Sequence, residues 1–177
     1  MVHEVRKATL ADREAITQLI AASARLLSRE HYDDAQIEAA IAFVFGVDSS
    51  LIEDGTYFVA EQDGTLIGCG GWSRRKTLYG GDQFSKRDTG FIDPEREPAR
   101  IRAFFVHPEH ARKGVARALL SVCETEAKRN GFRALELLST LPGIRFYESC
   151  GYSQNGNFDL ELNDGVKIPF VPMRKQF

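Results

Sequence analysis

Ile101-Arg102-Ala103-Phe104-Phe105-Val106-His107-Pro108, followed after Glu109-His110-Ala111-Arg112-Lys113 by Gly114-Val115-Ala116-Arg117-Ala118-Leu119-Leu120, is the stretch that decides how this chain folds. Its first part is β-branched and aromatic and ends at a proline, which predicts a strand over residues 99–106. Gly114 then opens a helical spacing through Val115, Leu119, Val122 and Cys123, predicting a helix over residues 114–129 that Gly131 stops. The first amides of a helix have no partners inside it and point along its axis, so a strand, a tight turn and a helix entry make an anion site. Gly114 and Ala116 let phosphate oxygens approach the backbone, and Arg112, Lys113 and Arg117 add positive charge. Neither a G-x-x-x-x-G-K-[ST] loop nor a G-x-G-x-x-G after the strand is present, which excludes the commonest nucleotide-binding turns.

Upstream, residues 2–8 read as a short strand, and Thr9 with Asp12 forms a capping pair for a helix with Ile16, Leu19, Ile20, Ser23, Leu26 and Leu27 on one face. A second helix starts near Asp33 or Asp34, buries Ile37, Ala40, Ile41, Val44 and Phe45, and stops at Gly46. Residues 56–60 and 66–72, joined by Asp63-Gly64, have the pattern of a β-hairpin. Gly68, Gly70 and Gly71 mark a bulge or a close approach of a ligand on the second strand, or equally simple crowding within the sheet. The polar, glycine-rich segment 76–98, from Lys76 to Pro98, is of a length common in functional lids.

Downstream, residues 133–139 read as a strand and residues 142–150 as a short helix with Pro142 in its first turn and Gly151 as its stop. Phe158, Leu160 and Leu162 alternate with Asp159 and Glu161, Asn163-Asp164-Gly165 turns, and Val166 and Ile168 open a last strand. Pro169 and Pro172 suggest that this last strand lies at an edge or is bulged.

The 177 residues suit one ordinary domain, and 43% hydrophobic with 27% charged residues is the composition of a soluble globular protein. A formal net charge of −2 argues against a mainly electrostatic nucleic-acid binder. Cys69, Cys123 and Cys150 are odd in number and without metal spacing, which favours reduced thiols and a cytoplasmic setting. The first ten residues carry His3, Glu4, Arg6 and Lys7 without an apolar run, unlike a signal peptide, and no segment has the length for a membrane helix. His107 and His110 alone do not make a zinc site, so no metal is expected.

Val106-His107-Pro108 and Ala111-Arg112-Lys113-Gly114-Val115-Ala116 together resemble the V-x-P element and the [QR]-x-x-G-x-[GA] hallmark of the GNAT family of acyl-coenzyme A-dependent N-acetyltransferases. Ile144-Arg145-Phe146-Tyr147-Glu148-Ser149-Cys150-Gly151-Tyr152 resembles the family's later F-Y-E-x-x-G-[FY] segment, in the right order. The order of strand, two helices, hairpin and strand upstream is also that of the family, so the resemblance covers essentially the whole chain. Ala111 stands where the family usually has glutamine or arginine, and Leu141-Pro142 where it often has an asparagine.

The resemblance implies an α/β fold, with a central, mostly antiparallel sheet flanked by helices, and a single domain over residues 1–177. It implies acetyl-CoA as acyl donor, its pyrophosphate at Arg112, Lys113, Gly114, Val115, Ala116 and Arg117, and its pantetheine arm along Phe104, Phe105 and Val106. It further implies direct attack by a primary amine of a small molecule or peptide, an oxyanion held by a backbone N–H near Phe105, and Tyr147 as the general acid for the departing thiolate. The family's strand glutamate is replaced by Arg102 or Ala103. Asp82, Asp88, Asp93, Glu95, His107 or a water relay are the alternatives for a base, and none is singled out. A homodimer, common for such folds, and a non-catalytic acyl-CoA sensor of the same fold both stay open.

Overall fold

The computed structural model describes residues 3–177, and among these a single mixed sheet takes up eight strands. β1 (Glu4–Lys7), β2 (Tyr57–Gln62), β3 (Thr65–Ser73) and β4 (Ala99–Val106) pair with one another in that order, antiparallel throughout. β5 (Ala134–Thr140) pairs parallel with β4, and the sheet continues through β8 (Lys167–Gln176) to β6 (Ser153–Gln154) and β7 (Phe158–Glu161). Val2, the first residue of the expected opening strand, lies outside the described residues.

Period-two alternation builds two cores. Tyr57 and Val59 face α1 (Arg13–Leu27), whereas Phe58 and Ala60 face α4 (Val115–Arg129) on the other side of the sheet. A third cluster joins α2 (Asp34–Phe43) to β7 and β8. α1 buries Ile16, Leu19, Ile20, Ser23 and Ala24, but Leu26 and Leu27 of the expected face are exposed. α2 is capped by Asp33, whose carboxylate accepts from the Gln36 N–H, and ends at Phe43, short of Gly46. Sequence periodicity missed α3 (Ser49–Glu53), a single turn whose start is marked by Asp48 accepting from the Ser50 N–H. It also missed the two-residue β6.

The hairpin between β2 and β3 turns through Asp63 and Gly64, both at positive φ, as its Asp-Gly signal requires. At the β3 glycines the register with β4 shifts between Cys69 and Gly71, and the protein itself crowds them. A Cβ on Gly68 would meet Val115 Cγ1 at 2.5 Å and one on Gly70 would meet the Phe104 ring at 2.5 Å. α4 thus lies directly on β3, and this contact aims the helix's first turn.

β4 and β5 pair only at Ala99–Leu135 and Arg100–Glu136, where an Arg100–Glu136 ion pair closes the apex, and the two strands then fork. The fork coincides with a bulge at Ala103, which holds φ at 51° opposite the register shift between Cys69 and Gly71. The Ala103 carbonyl accepts from the Tyr57 hydroxyl at 3.1 Å and the Cys69 thiol at 3.8 Å, so a left-handed residue is held from behind the sheet.

The last strand is not an edge, contrary to the reading of Pro169 and Pro172. β8 is bordered by β5 on one side and by β6 and β7 on the other, and each proline sits where a neighbour is interrupted. The Pro172 carbonyl accepts from Asn155 between β6 and β7, so its missing N–H faces that gap. Pro169 faces the other way, beyond the last β5 pair at Thr140–Phe170. There Tyr32 donates its hydroxyl to the Pro169 carbonyl at 2.6 Å and accepts from the Leu141 N–H at 3.0 Å, bridging the strands where their ladder ends. Burial pushes this phenol up to about 12. Tyr32→Phe leaves both backbone groups unpaired and is expected to cost about 1–3 kcal/mol in chemical denaturation, with the fold retained.

Candidate active site

The turn after β4 is built by local chemistry. The His107 N–H donates to the Ile67 carbonyl, Pro108 starts a 3-10 turn (Pro108–His110), and the His107 imidazole accepts from the Glu109 N–H at 3.3 Å. Arg112 and Gly114 then take left-handed φ values of 61° and 85°, and α4 starts at Val115. Alternating backbone handedness of this kind gathers successive N–H groups into an anion-binding concavity. The first backbone bond that Gly114 accepts within α4 comes from Ala118, so the amides of Val115, Ala116 and Arg117 have no backbone partner among the described residues.

These amides open onto a cavity of about 580 Å³, a size ordinary for a small-molecule site. It continues along the fork past Phe104, Phe105 and Val106 to Tyr147. Arg112 and Arg117 reach its wall, and Arg117 also donates to the Ser149 hydroxyl. Lys113 is exposed and not part of the wall.

A 3-10 turn (Leu141–Gly143) leads into α5 (Ile144–Ser149), which carries Tyr147 onto the fork. Its ring packs edge-on to Phe104, Phe146 and Tyr152 with centroids 5.0–6.5 Å apart. Its hydroxyl has no hydrogen-bond partner among the described residues, and burial raises its pKa above the ordinary phenol value. A buried phenol on a cavity wall keeps its proton at neutral pH.

Of the base alternatives, Asp82 pairs with Arg13 and Arg87, Asp88 accepts from the Gly90 N–H, and Asp93 accepts from the Glu95 N–H. None of these, nor Glu95 or His107, lies on the cavity wall. Instead the wall carries the exposed Glu30 and His31, after α1, which periodicity had no means of singling out. Arg102 is on the wall too, 3% exposed, with its guanidinium 3.1 Å from Asp48 and donating to the Gly80 carbonyl at 2.7 Å. Burial lowers its pKa, while Asp48 opposes the shift. Among the described residues no cluster of His, Cys, Asp or Glu is arranged to hold a metal, and no helix is long and apolar enough to cross a membrane.

Beyond Arg102 the cavity is walled by aromatic groups. Phe45 packs on Phe105 of β4 at 5.3 Å and on Phe170 of β8 at 6.2 Å, spanning the fork from the α2 side. Tyr79, from the 76–98 segment, packs on Phe84 at 5.3 Å and on Phe158 at 5.6 Å. The long segment therefore forms one wall of the cavity through Leu78, Tyr79, Gly80 and Gly81.

Known proteins share this architecture. A GCN5-related N-acetyltransferase structure from Rhodopseudomonas palustris superposes with a TM-score of 0.73 at 19% identity, covering 100% of this chain and 99% of its own. The PaiA N-acetyltransferase of Thermoplasma acidophilum, solved with coenzyme A, gives 0.68 at 17% identity with complete coverage of both chains, 100% and 100%. YncA, a putative acetyltransferase of Salmonella typhimurium solved with acetyl-CoA, gives 0.65 at 20% identity, covering 99% of this chain and 94% of its own. A search of curated protein sequences found no match. The family model for the acetyltransferase (GNAT) family matches residues 14–152, and the chain belongs to that family.

Proposed function

We propose that this protein transfers an acetyl group from acetyl-CoA to a primary amine by direct attack. The observation that carries the reading is one continuous cavity that joins the free amides of α4, the forked strands and the Tyr147 hydroxyl. The residues fit the donor: the amides of Val115, Ala116 and Arg117, with the Arg112 and Arg117 side chains, hold a pyrophosphate. The edge of β4 from Phe104 to Val106, left unpaired where β5 diverges, bonds the amide-containing pantetheine arm as an added strand would.

Acetyl-CoA supplies an activated thioester, so that the new N–C bond forms as the C–S bond breaks. Tyr147 holds a proton at its hydroxyl for the departing sulfur. A backbone N–H of β4 beside Phe105 supports the charge that develops on the carbonyl oxygen. Because Tyr57 holds the Ala103 carbonyl, the following N–H, on Phe104, is turned in the opposite direction, away from Tyr57. The amine must attack unprotonated and give up one proton, which passes through water and restores the Tyr147 hydroxyl.

The test is thiol release from acetyl-CoA with a panel of primary amines. Saturable, amine-dependent release supports the reading. Coenzyme binding without turnover of any amine would instead identify a non-catalytic acyl-CoA sensor, the reading favoured by Arg102 standing where a carboxylate base would be expected.

A further inference from the structure

The acceptor end of the cavity has an excess of buried positive charge. Arg102, just beyond the apex of the fork, shares the 2% exposed Asp48 with Arg87, whose guanidinium lies 2.8 Å from the other carboxylate oxygen. Arg87 also reaches Asp82 at 3.6 Å, and Asp82 is paired with Arg13 at 3.1 Å. The buried Arg102 and the partly buried Arg87 thus share one buried carboxylate, while the exposed Asp82 is divided between Arg87 and the exposed Arg13. Asp48, the Thr77 carbonyl and the Gly80 carbonyl engage the two terminal nitrogens of Arg102. Two of its five N–H groups, one of them on Nε, have no partner among the described residues. The wall also carries Phe45, Leu78, Tyr79 and Phe170, which are apolar or aromatic, and the exposed Glu30 and His31.

We infer that the acceptor carries its own carboxylate next to the amine, as an apolar α-amino acid does, and that Arg102 receives it; this rests on the acetyl-transfer reading above. A guanidinium already desolvated and in excess over its partners loses little more water when a carboxylate docks, and gains charge-assisted hydrogen bonds. A simple alkylammonium beside Arg102 meets like charge, because Asp48 is already shared by two guanidiniums and Glu30 is the only carboxylate on the wall among the described residues. The carboxylate neutralises the excess, and the aromatic walls take the side chain.

The experiment compares kcat/KM of the wild-type protein, at saturating acetyl-CoA, for phenylalanine against phenethylamine and phenylalaninamide, and for leucine against isoamylamine. The amino acids are expected to be favoured by about 10- to 100-fold, the worth of hydrogen bonds to a charged group. Arg102→Met should erase that preference while leaving coenzyme A affinity by calorimetry unchanged, and Arg102→Lys should restore part of it. The comparison on wild-type protein stands even where a variant fails to fold. Equal or better turnover of the decarboxylated amines overturns the carboxylate assignment and leaves acetyl transfer intact. Preference for the weakly basic amide overturns it as well, because the buried charge would then be selecting neutral amines. Bound coenzyme A with no turnover of any amine sinks both readings.

Discussion

Tyr147→Phe is expected to lower turnover by about 10²- to 10⁴-fold, the usual worth of general acid assistance, with coenzyme A affinity unchanged. The substitution removes one oxygen from a ring that keeps its packing against Phe104, Phe146 and Tyr152, and that oxygen has no hydrogen bond to any described residue. The fold therefore loses little, and the effect falls on the chemical step. Because burial raises the Tyr147 pKa, the donor form persists through neutral and mildly alkaline pH. Wild-type activity should accordingly show no loss near pH 8 that the variant lacks. Steady-state thiol release, with calorimetry for coenzyme A, separates the two constants, and unchanged turnover removes Tyr147 from the mechanism.

Gly114→Glu is expected to abolish coenzyme A binding while the protein stays folded. A Cβ at Gly114 meets nothing within 4 Å, so the side chain itself is accommodated, but φ is 85° and any non-glycine residue is strained there. That strain is worth about 1–2 kcal/mol. The new carboxylate stands at the free amides of Val115 to Arg117 and competes with a phosphate for them, while its charge repels the pyrophosphate. Calorimetry should show no heat of binding in a variant whose denaturation midpoint is only slightly lowered. Wild-type affinity in that variant would place the pyrophosphate elsewhere.

By residue type, Gly114 makes room for phosphate at the helix entry. The structure adds that its left-handed backbone, together with Arg112, is what gathers the amides. Ala111 bears on the same point, since a cradle built from main-chain groups has little need of a particular side chain at its first position. The helix entry is readable because helix starts depend on a few adjacent residues. The hairpin was legible for the same reason, Asp63-Gly64 being a turn whose dihedral needs are written in residue type.

Where the reading failed, the cause was non-local. Pro169 and Pro172 correctly signalled missing ladder bonds, but whether the gap is a sheet edge or a break in a neighbouring strand depends on β5, β6 and β7. α3 is too short to show a period, and Ala103 gives no sign of a left-handed bulge, because what holds it there is Tyr57 from another strand. None of the carboxylates considered as a base reaches the cavity, since turns and ion pairs occupy most of them and all lie off its wall.

By itself the sequence determined the fold class, the strand, turn and helix entry with its free amides, and the place of Tyr147 on the last short helix, each encoded in contiguous residues with local conformational needs. Only the tertiary structure decided that β4 and β5 fork, that Phe45 spans the fork from the α2 side, and that Arg102 is buried on the cavity wall, sharing Asp48 with Arg87. Those features depend on which distant groups share a space, and burial changes the meaning of a charge that a linear sequence leaves solvated.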